Sequence, residues 1–104
     1  MTHLPLLVLP SAERDILAAA NDYDARLARL GERFVSHVEQ AIERIRRHPH
    51  SFQRLDEQFR RAIINTFPYA VAYRVLADRI EVVAVFPCRM DPDRLADRLT
   101  TPPK

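Results

Sequence analysis

A chain of 104 residues with 47% hydrophobic side chains is sized for one domain with a modest core, and that composition excludes a disordered chain. Its one cysteine, Cys88, excludes an internal disulfide framework and any cysteine-based zinc site, and its one glycine, Gly31, excludes a glycine-rich phosphate loop. The net charge of +2 is unevenly spread: residues 1–43 carry four arginines against seven acids (a balance of −3), whereas residues 44–104 carry eleven arginines and Lys104 against seven acids (+5). A basic second half points to an acidic partner, either nucleic acid or an acidic protein. The plain alternative is a genome that favours arginine codons, with the guanidiniums on a solvated face.

Leu4–Leu9 is a short apolar run ended by Pro10 and reads as a strand. It has no basic segment before it and is too short for a signal peptide or a membrane span, so the protein is expected to be soluble and cytoplasmic. Ser11 is a good N-cap for a helix from Ala12 to about Ala25, with Ala12, Ile16, Ala19, Ala20 and Tyr23 at helical spacing. Gly31 fits either the corner of a helical hairpin or the interior of one long bent helix, and the hairpin is the preferred reading. The second helix runs from near Leu30 to Arg47, with Phe34, Val38, Ala41, Ile42 and Ile45 on one face. Arg44, Arg46 and Arg47 suit its C-terminal dipole, and His48-Pro49 stops it. His48 and His50 lack a third metal ligand at a telling spacing and read as exposed loop residues.

Residues 53–59 lead into the β-rich stretch 58–86. There Tyr69, Val71, Tyr73 and Val75 alternate with Ala70, Ala72 and Arg74, and Ile80, Val82 and Ala84 alternate with Glu81, Val83 and Val85. This period of two predicts an antiparallel meander of about three strands, with Pro68 at a strand start, an edge or a bulge. Asp91 before Pro92 predicts a short helix at about 92–99, and residues 100–104 read as a frayed tail. One domain spanning 1–104 is expected. Its class is α+β: an N-terminal strand, a helical hairpin packed on a small antiparallel sheet (β-α-α-β-β-β) and a short C-terminal helix.

No nucleophile–base pair stands out. Cys88 beside Arg89 reads as an inert thiol after the last strand. The feature left over is the set of arginines Arg60, Arg61, Arg74, Arg79, Arg89 and Arg98 around the sheet. Arg60 and Arg61 point to opposite faces. If Arg61, Arg74 and Arg89 converge, the open face of the sheet is basic, with Tyr69 or Tyr73 nearby. The alternative is ordinary cross-strand pairing with Glu81 and Asp78.

Several stretches together resemble the RelE/ParE superfamily, the toxins of bacterial type II toxin–antitoxin systems. They are Pro10-Ser11-Ala12-Glu13-Arg14-Asp15-Ile16; Tyr23; Leu30-Gly31-Glu32-Arg33-Phe34; Ile42 with Ile45 and Pro49; Arg60-Arg61; Phe67-Pro68-Tyr69 with Val71 and Tyr73; and Val82-Val83-Ala84-Val85 followed by Arg89, Asp91 and Pro92. The resemblance covers nearly the whole chain. It implies a toxin neutralised by a cognate antitoxin that wraps over its helices and sheet, and it implies no cofactor. RelE-like members cleave messenger RNA on the ribosome with basic residues and commonly a C-terminal tyrosine or histidine; ParE-like members poison DNA gyrase. Here Pro87 stands where many relatives have a histidine, Asp93, Arg94 and Leu95 stand where many have aromatics, and no tyrosine or histidine follows Tyr73. Arginine is a poor proton donor because it stays charged. The resemblance is therefore closer to ParE, with a messenger RNA endonuclease or a relic that only binds antitoxin as alternatives. Candidate target-binding residues are Arg61, Arg89, Arg94 and Arg98. Candidate antitoxin-binding residues are Tyr23, Phe34 and Val38, provided they stay exposed; otherwise they are core. The expected partners are a ParD-like antitoxin, DNA gyrase, and operator DNA only through the antitoxin.

Overall fold

The alternating stretches become the centre of a five-stranded sheet. The computed structural model describes residues 3–100; the expected tail beyond Thr100 lies outside them. In chain order the elements are β1 (Leu6–Val8), α1 (Pro10–Arg26), α2 (Leu30–Arg47), β2 (Gln53–Arg54), β3 (Arg60–Ile63), β4 (Tyr69–Val75), β5 (Ile80–Pro87) and α3 (Pro92–Thr100). The spatial order of strands is β1-β5-β4-β3-β2. The meander β3-β4-β5 is antiparallel as predicted. β1 joins it parallel to β5, with Leu6 opposite Ile80, and the two-residue β2, read from sequence only as a lead-in, pairs antiparallel with β3.

Two cores flank the sheet. Phe34, Val38, Ala41 and Ile45 of α2 and Ala12, Ala19 and Ala20 of α1 are buried with Val71, Tyr73, Ile80 and Val82 on one face. Ala70, Ala72, Ala84 and Phe86 form a smaller cluster on the other, covered in part by Met90, Leu95 and Leu99. A bulge changes the expected alternation in β5. Ala72 lies opposite Ala84 but Tyr73 lies opposite Val82, so Val83 is an extra residue. Its insertion shifts the parity, sending Ala84 to the second face and Val85 to the helical face.

Ser11 does not cap α1. Pro10 occupies the first helical turn, where its missing N–H costs nothing and its fixed φ suits the helix, and Leu9 is the N-cap. The Ser11 hydroxyl instead donates to the Val83 carbonyl (2.8 Å), and Asp15 Oδ2 accepts the Val85 N–H (3.0 Å). β1 ends before this half of β5, so two side chains one helical turn apart satisfy backbone groups that would otherwise form an open edge.

The helical hairpin is present, but Gly31 is not its corner. Arg29 takes the left-handed conformation (φ 68°). Gly31 is buried in the first turn of α2, and a Cβ there would collide with the Ala20 carbonyl oxygen and come within 2.8 Å of the Asp24 carboxylate, which accepts the Gly31 N–H at 2.7 Å. Glycine is needed here for close approach of two backbones. Gly31→Ala is expected to destabilise the protein by about 2 kcal/mol in denaturant unfolding, because overpacking outweighs the gain in helix propensity.

Tyr73 ties β4 to the turn after α2. It is fully buried, its ring meets Phe52 edge-on, and its hydroxyl donates to the Pro49 carbonyl at 2.7 Å. Tyr73→Phe strands that carbonyl and is expected to cost about 1–2 kcal/mol of stability.

Candidate functional site

The sheet face away from the hairpin carries the charge. On β4, Arg74 shares this face with Ala70 and Ala72; on β3, Arg61 lies opposite Ala72 and so points the same way. Between this face, α3 and the 56–59 loop lies a groove of ≈ 1220 Å³. Its walls include Arg14, Asp15, Arg94, Arg98 and Leu99 on one side, Asp56, Glu57 and Phe59 on the other, and Arg74, Val83 and Met90.

The expected convergence of Arg61, Arg74 and Arg89 does not form. Arg74 sits beside the start of β5, opposite Glu81, and Arg89 follows the end of β5, roughly 20 Å away at the rise of a strand. Arg74 instead donates twice to Glu81 Oε1 (2.9 and 2.7 Å), while Arg79 donates to Glu81 Oε2 (2.9 Å) and Asp78 (2.8 Å). This is the cross-strand alternative. Glu81 is only 6% exposed. The Arg74 hydrogen bonds, aided by Arg79 and opposed by burial, hold its carboxyl below the usual value.

Of the four candidate target contacts, Arg94 and Arg98 line the groove, and Arg61 and Arg89 do not. Arg98 donates to Asp15 Oδ2 at 2.7 Å and latches α3 to α1. Arg94 and Arg89 are exposed and form no ion pair among the described residues. Arg61 donates to Gln53 Oε1 at 3.0 Å. Sequence reasoning missed Asp15 and Ser11, although their i, i+4 spacing on α1 was visible; it offered Glu81 only as the alternative partner of the arginines, since the choice depends on strand register.

Neither tyrosine of β4 reaches the open face. Tyr73 is buried under the hairpin, and burial pushes its hydroxyl up to about 12. Tyr69 is half-buried and packs against Phe34 (5.1 Å between ring centroids) and Tyr23 (6.1 Å). Tyr23 also meets Phe34 (5.3 Å) and Phe67 (5.0 Å), with the Arg26 guanidinium over its ring. Phe34 and Val38 are 0% and 1% exposed and are therefore core residues; only Tyr23 of the three antitoxin candidates keeps an accessible edge. Burial, reinforced by Tyr69, raises the Tyr23 hydroxyl above its ordinary value. His48 and His50 are exposed, and among the described residues no group of three or more histidines, cysteines or acids is placed to hold a metal. None of the described helices is long and apolar enough to cross a membrane.

A helical hairpin on one face of a small mixed sheet, with an arginine-bearing terminal helix on the other, is the α+β architecture that the resemblance implies for these toxins. The chain belongs to the ParE toxin family of type II toxin–antitoxin systems, whose profile (ParE toxin of type II toxin-antitoxin system, parDE) matches residues 6–92. Among solved structures, a chain of the chromosomal ParDE TA system from P. aeruginosa superposes with a TM-score of 0.62 at 14% identity, covering 81% of this chain and 95% of that one; at this identity the likeness concerns the fold alone. No curated protein matches the chain.

Proposed function

We propose that this toxin acts by binding DNA gyrase and stalling it on cut DNA, and that a ParD-like cognate antitoxin neutralises it. The carrying observation is the side of the sheet on which the tyrosines lie. Cleavage of RNA needs a group that activates the 2′-hydroxyl and one that protonates the leaving oxygen. Tyr69 and Tyr73 face the hairpin, and the Tyr73 hydroxyl is bound to the Pro49 carbonyl. The arginines of the open face are charge-bearing contacts, suited to gripping an acidic protein surface. Arg94 and Arg98 on α3 are the contacts on the groove, and Arg61 and Arg89 extend them beyond it. Tyr23, at the accessible edge of the aromatic cluster, is the antitoxin contact. Sequence-specific recognition of operator DNA belongs to the antitoxin, and the site of action is the cytoplasm.

A gyrase supercoiling and cleavage assay with the purified chain tests this. The expected result is stabilised DNA breaks that vanish when antitoxin is added. Arg94→Ala with Arg98→Ala is expected to weaken the effect roughly tenfold or more, the loss of an interfacial contact of about 1.4 kcal/mol. Undisturbed gyrase, with the chain shown to be folded, overturns the reading and directs attention to messenger RNA cleavage on ribosomes.

A further inference from the structure

On the other side of the 56–59 loop that walls the groove lies a second basic surface, which the gyrase reading does not use. Residues 44–54 contain Arg44, Arg46, Arg47, His48, His50 and Arg54 and no acid. The fold draws several of these together with Arg60. The Arg44 guanidinium lies 6.0 Å from the centre of the Phe52 ring, and Arg60 donates to the Phe52 carbonyl at 2.8 Å. His50, Arg54 and Arg60 line one small pocket of ≈ 100 Å³.

Arg54 and Arg60 are direct partners across β2 and β3. Like charges placed opposite each other destabilise a strand pair. Arg44, Arg54 and Arg60 form no ion pair among the described residues, and Glu57, on the pocket rim, offers Arg54 only its backbone carbonyl at 3.3 Å. The nearby Arg47 is exposed and only loosely paired with Glu43 (3.4 Å). Each guanidinium that bonds a carbonyl here uses one of its five N–H groups, which leaves further donors for a ligand.

We propose that this surface binds the phosphodiester backbone of duplex nucleic acid, with one phosphate seated between His50, Arg54 and Arg60 and its neighbours met by Arg44 and Arg47. A duplex fits better than a single strand. Single-strand sites stack bases on exposed aromatic rings. Of the phenylalanines here, Phe52 is half-buried with its ring engaged by Tyr73 and Arg44, and Phe59, on the pocket wall, is buried. The contacts read charge rather than sequence, and they add to operator recognition by an antitoxin without replacing it. This inference is independent of the gyrase reading.

The test is fluorescence anisotropy of a labelled random-sequence DNA duplex titrated with the purified full chain at several salt concentrations, without gyrase. Three neutralised phosphates give a log–log salt slope of about −2.7, so affinity is expected to fall roughly 40-fold between about 50 and 200 mM salt. In the double variant Arg47→Gln/Arg54→Gln, both exposed positions, the slope should shrink to about −1.8 and the fall to roughly tenfold. Arg60→Gln tests the pocket itself, and the exposed double variant keeps the test intact should that protein not fold. Arg29→Gln/Arg33→Gln, exposed at the opposite end of α2, should leave duplex binding unchanged. The proposal is overturned by absence of duplex binding, by an unchanged slope in the double variant, by tighter binding of single-stranded RNA of equal length, or by equal competition from polyglutamate.

Discussion

Replacing Phe34 with alanine is expected to lower the unfolding free energy by about 3–5 kcal/mol, the range for truncating a fully buried aromatic. Phe34 is 0% exposed and its ring meets Tyr23, Phe67 and Tyr69 at centroid distances of 5.3, 5.4 and 5.1 Å. These rings come from α1, α2, β4 and the loop before it, so one truncation loosens the hairpin from the sheet. Collapse into the space is hindered because Gly31, one turn earlier, already places α2 against the backbone of α1. Domains of this size have total stabilities of about 5–15 kcal/mol, so the variant should be marginal. Denaturant unfolding followed by circular dichroism gives the value. Phe34→Leu, which retains much of the volume, should cost less than about 1.5 kcal/mol. A loss below about 1 kcal/mol for the alanine variant would mean that the ring is loosely held and free to meet a partner, which would return Phe34 to the antitoxin surface.

Glu81→Ala is the second large effect. The carboxylate is almost wholly buried, yet it is satisfied by two guanidiniums, and removing it leaves Arg74 and Arg79 without their shared partner on the sheet. Breaking a fully buried pair costs roughly 3–5 kcal/mol; about 2–3 kcal/mol is expected here at neutral pH, because both arginines keep access to water. The pH dependence distinguishes charge from packing. Hydrogen bonds from Arg74 chiefly, against the effect of burial, depress the folded-state pKa of Glu81 below its ordinary value. A depressed carboxyl contributes stability that is complete above the ordinary carboxylate range and is lost as pH falls through the folded value. The stability gap between wild type and Glu81→Ala should therefore shrink on acidification. A gap that stays constant from neutral to acid pH would assign Glu81 a packing role and refute the ion-pair account.

These two residues also divide the molecule by task. Phe34 holds the hairpin against its face of the sheet. Glu81 fixes Arg74 and Arg79 on the other face, while Arg14 on the groove wall and Arg61, Arg89 and Arg94 have no ion-pair partner among the described residues. Arg98 is partly committed, since its bond to Asp15 is one of the ties between α3 and the rest of the fold. Proposed contacts on α3 therefore differ in kind: Arg94 is available as it stands, whereas Arg98 reaches a partner by leaving Asp15.

The elements were legible because their signals are local. Phe34, Val38, Ala41 and Ile45 recur at helical spacing, Tyr69 to Val75 alternate with a period of two, and Asp91-Pro92 opens a helix whose Asp93 N–H does bond the Asp91 carboxylate at 2.8 Å. The α+β class, the hairpin, the meander and the family resemblance follow from such patterns along the chain. Which charges meet does not. The pairing of Arg74 with Glu81, the like-charged Arg54 and Arg60, the separation of Arg89 from Arg74 and the face to which Tyr73 turns all depend on strand register, and one inserted residue, Val83, reverses the parity of everything after it in β5. The roles of Gly31 and Ser11 were likewise decided in three dimensions. A close approach of two helices and an unpaired strand edge are properties of neighbours distant in sequence, so the residues alone identify who is present at a site, and only the packed structure selects their partners.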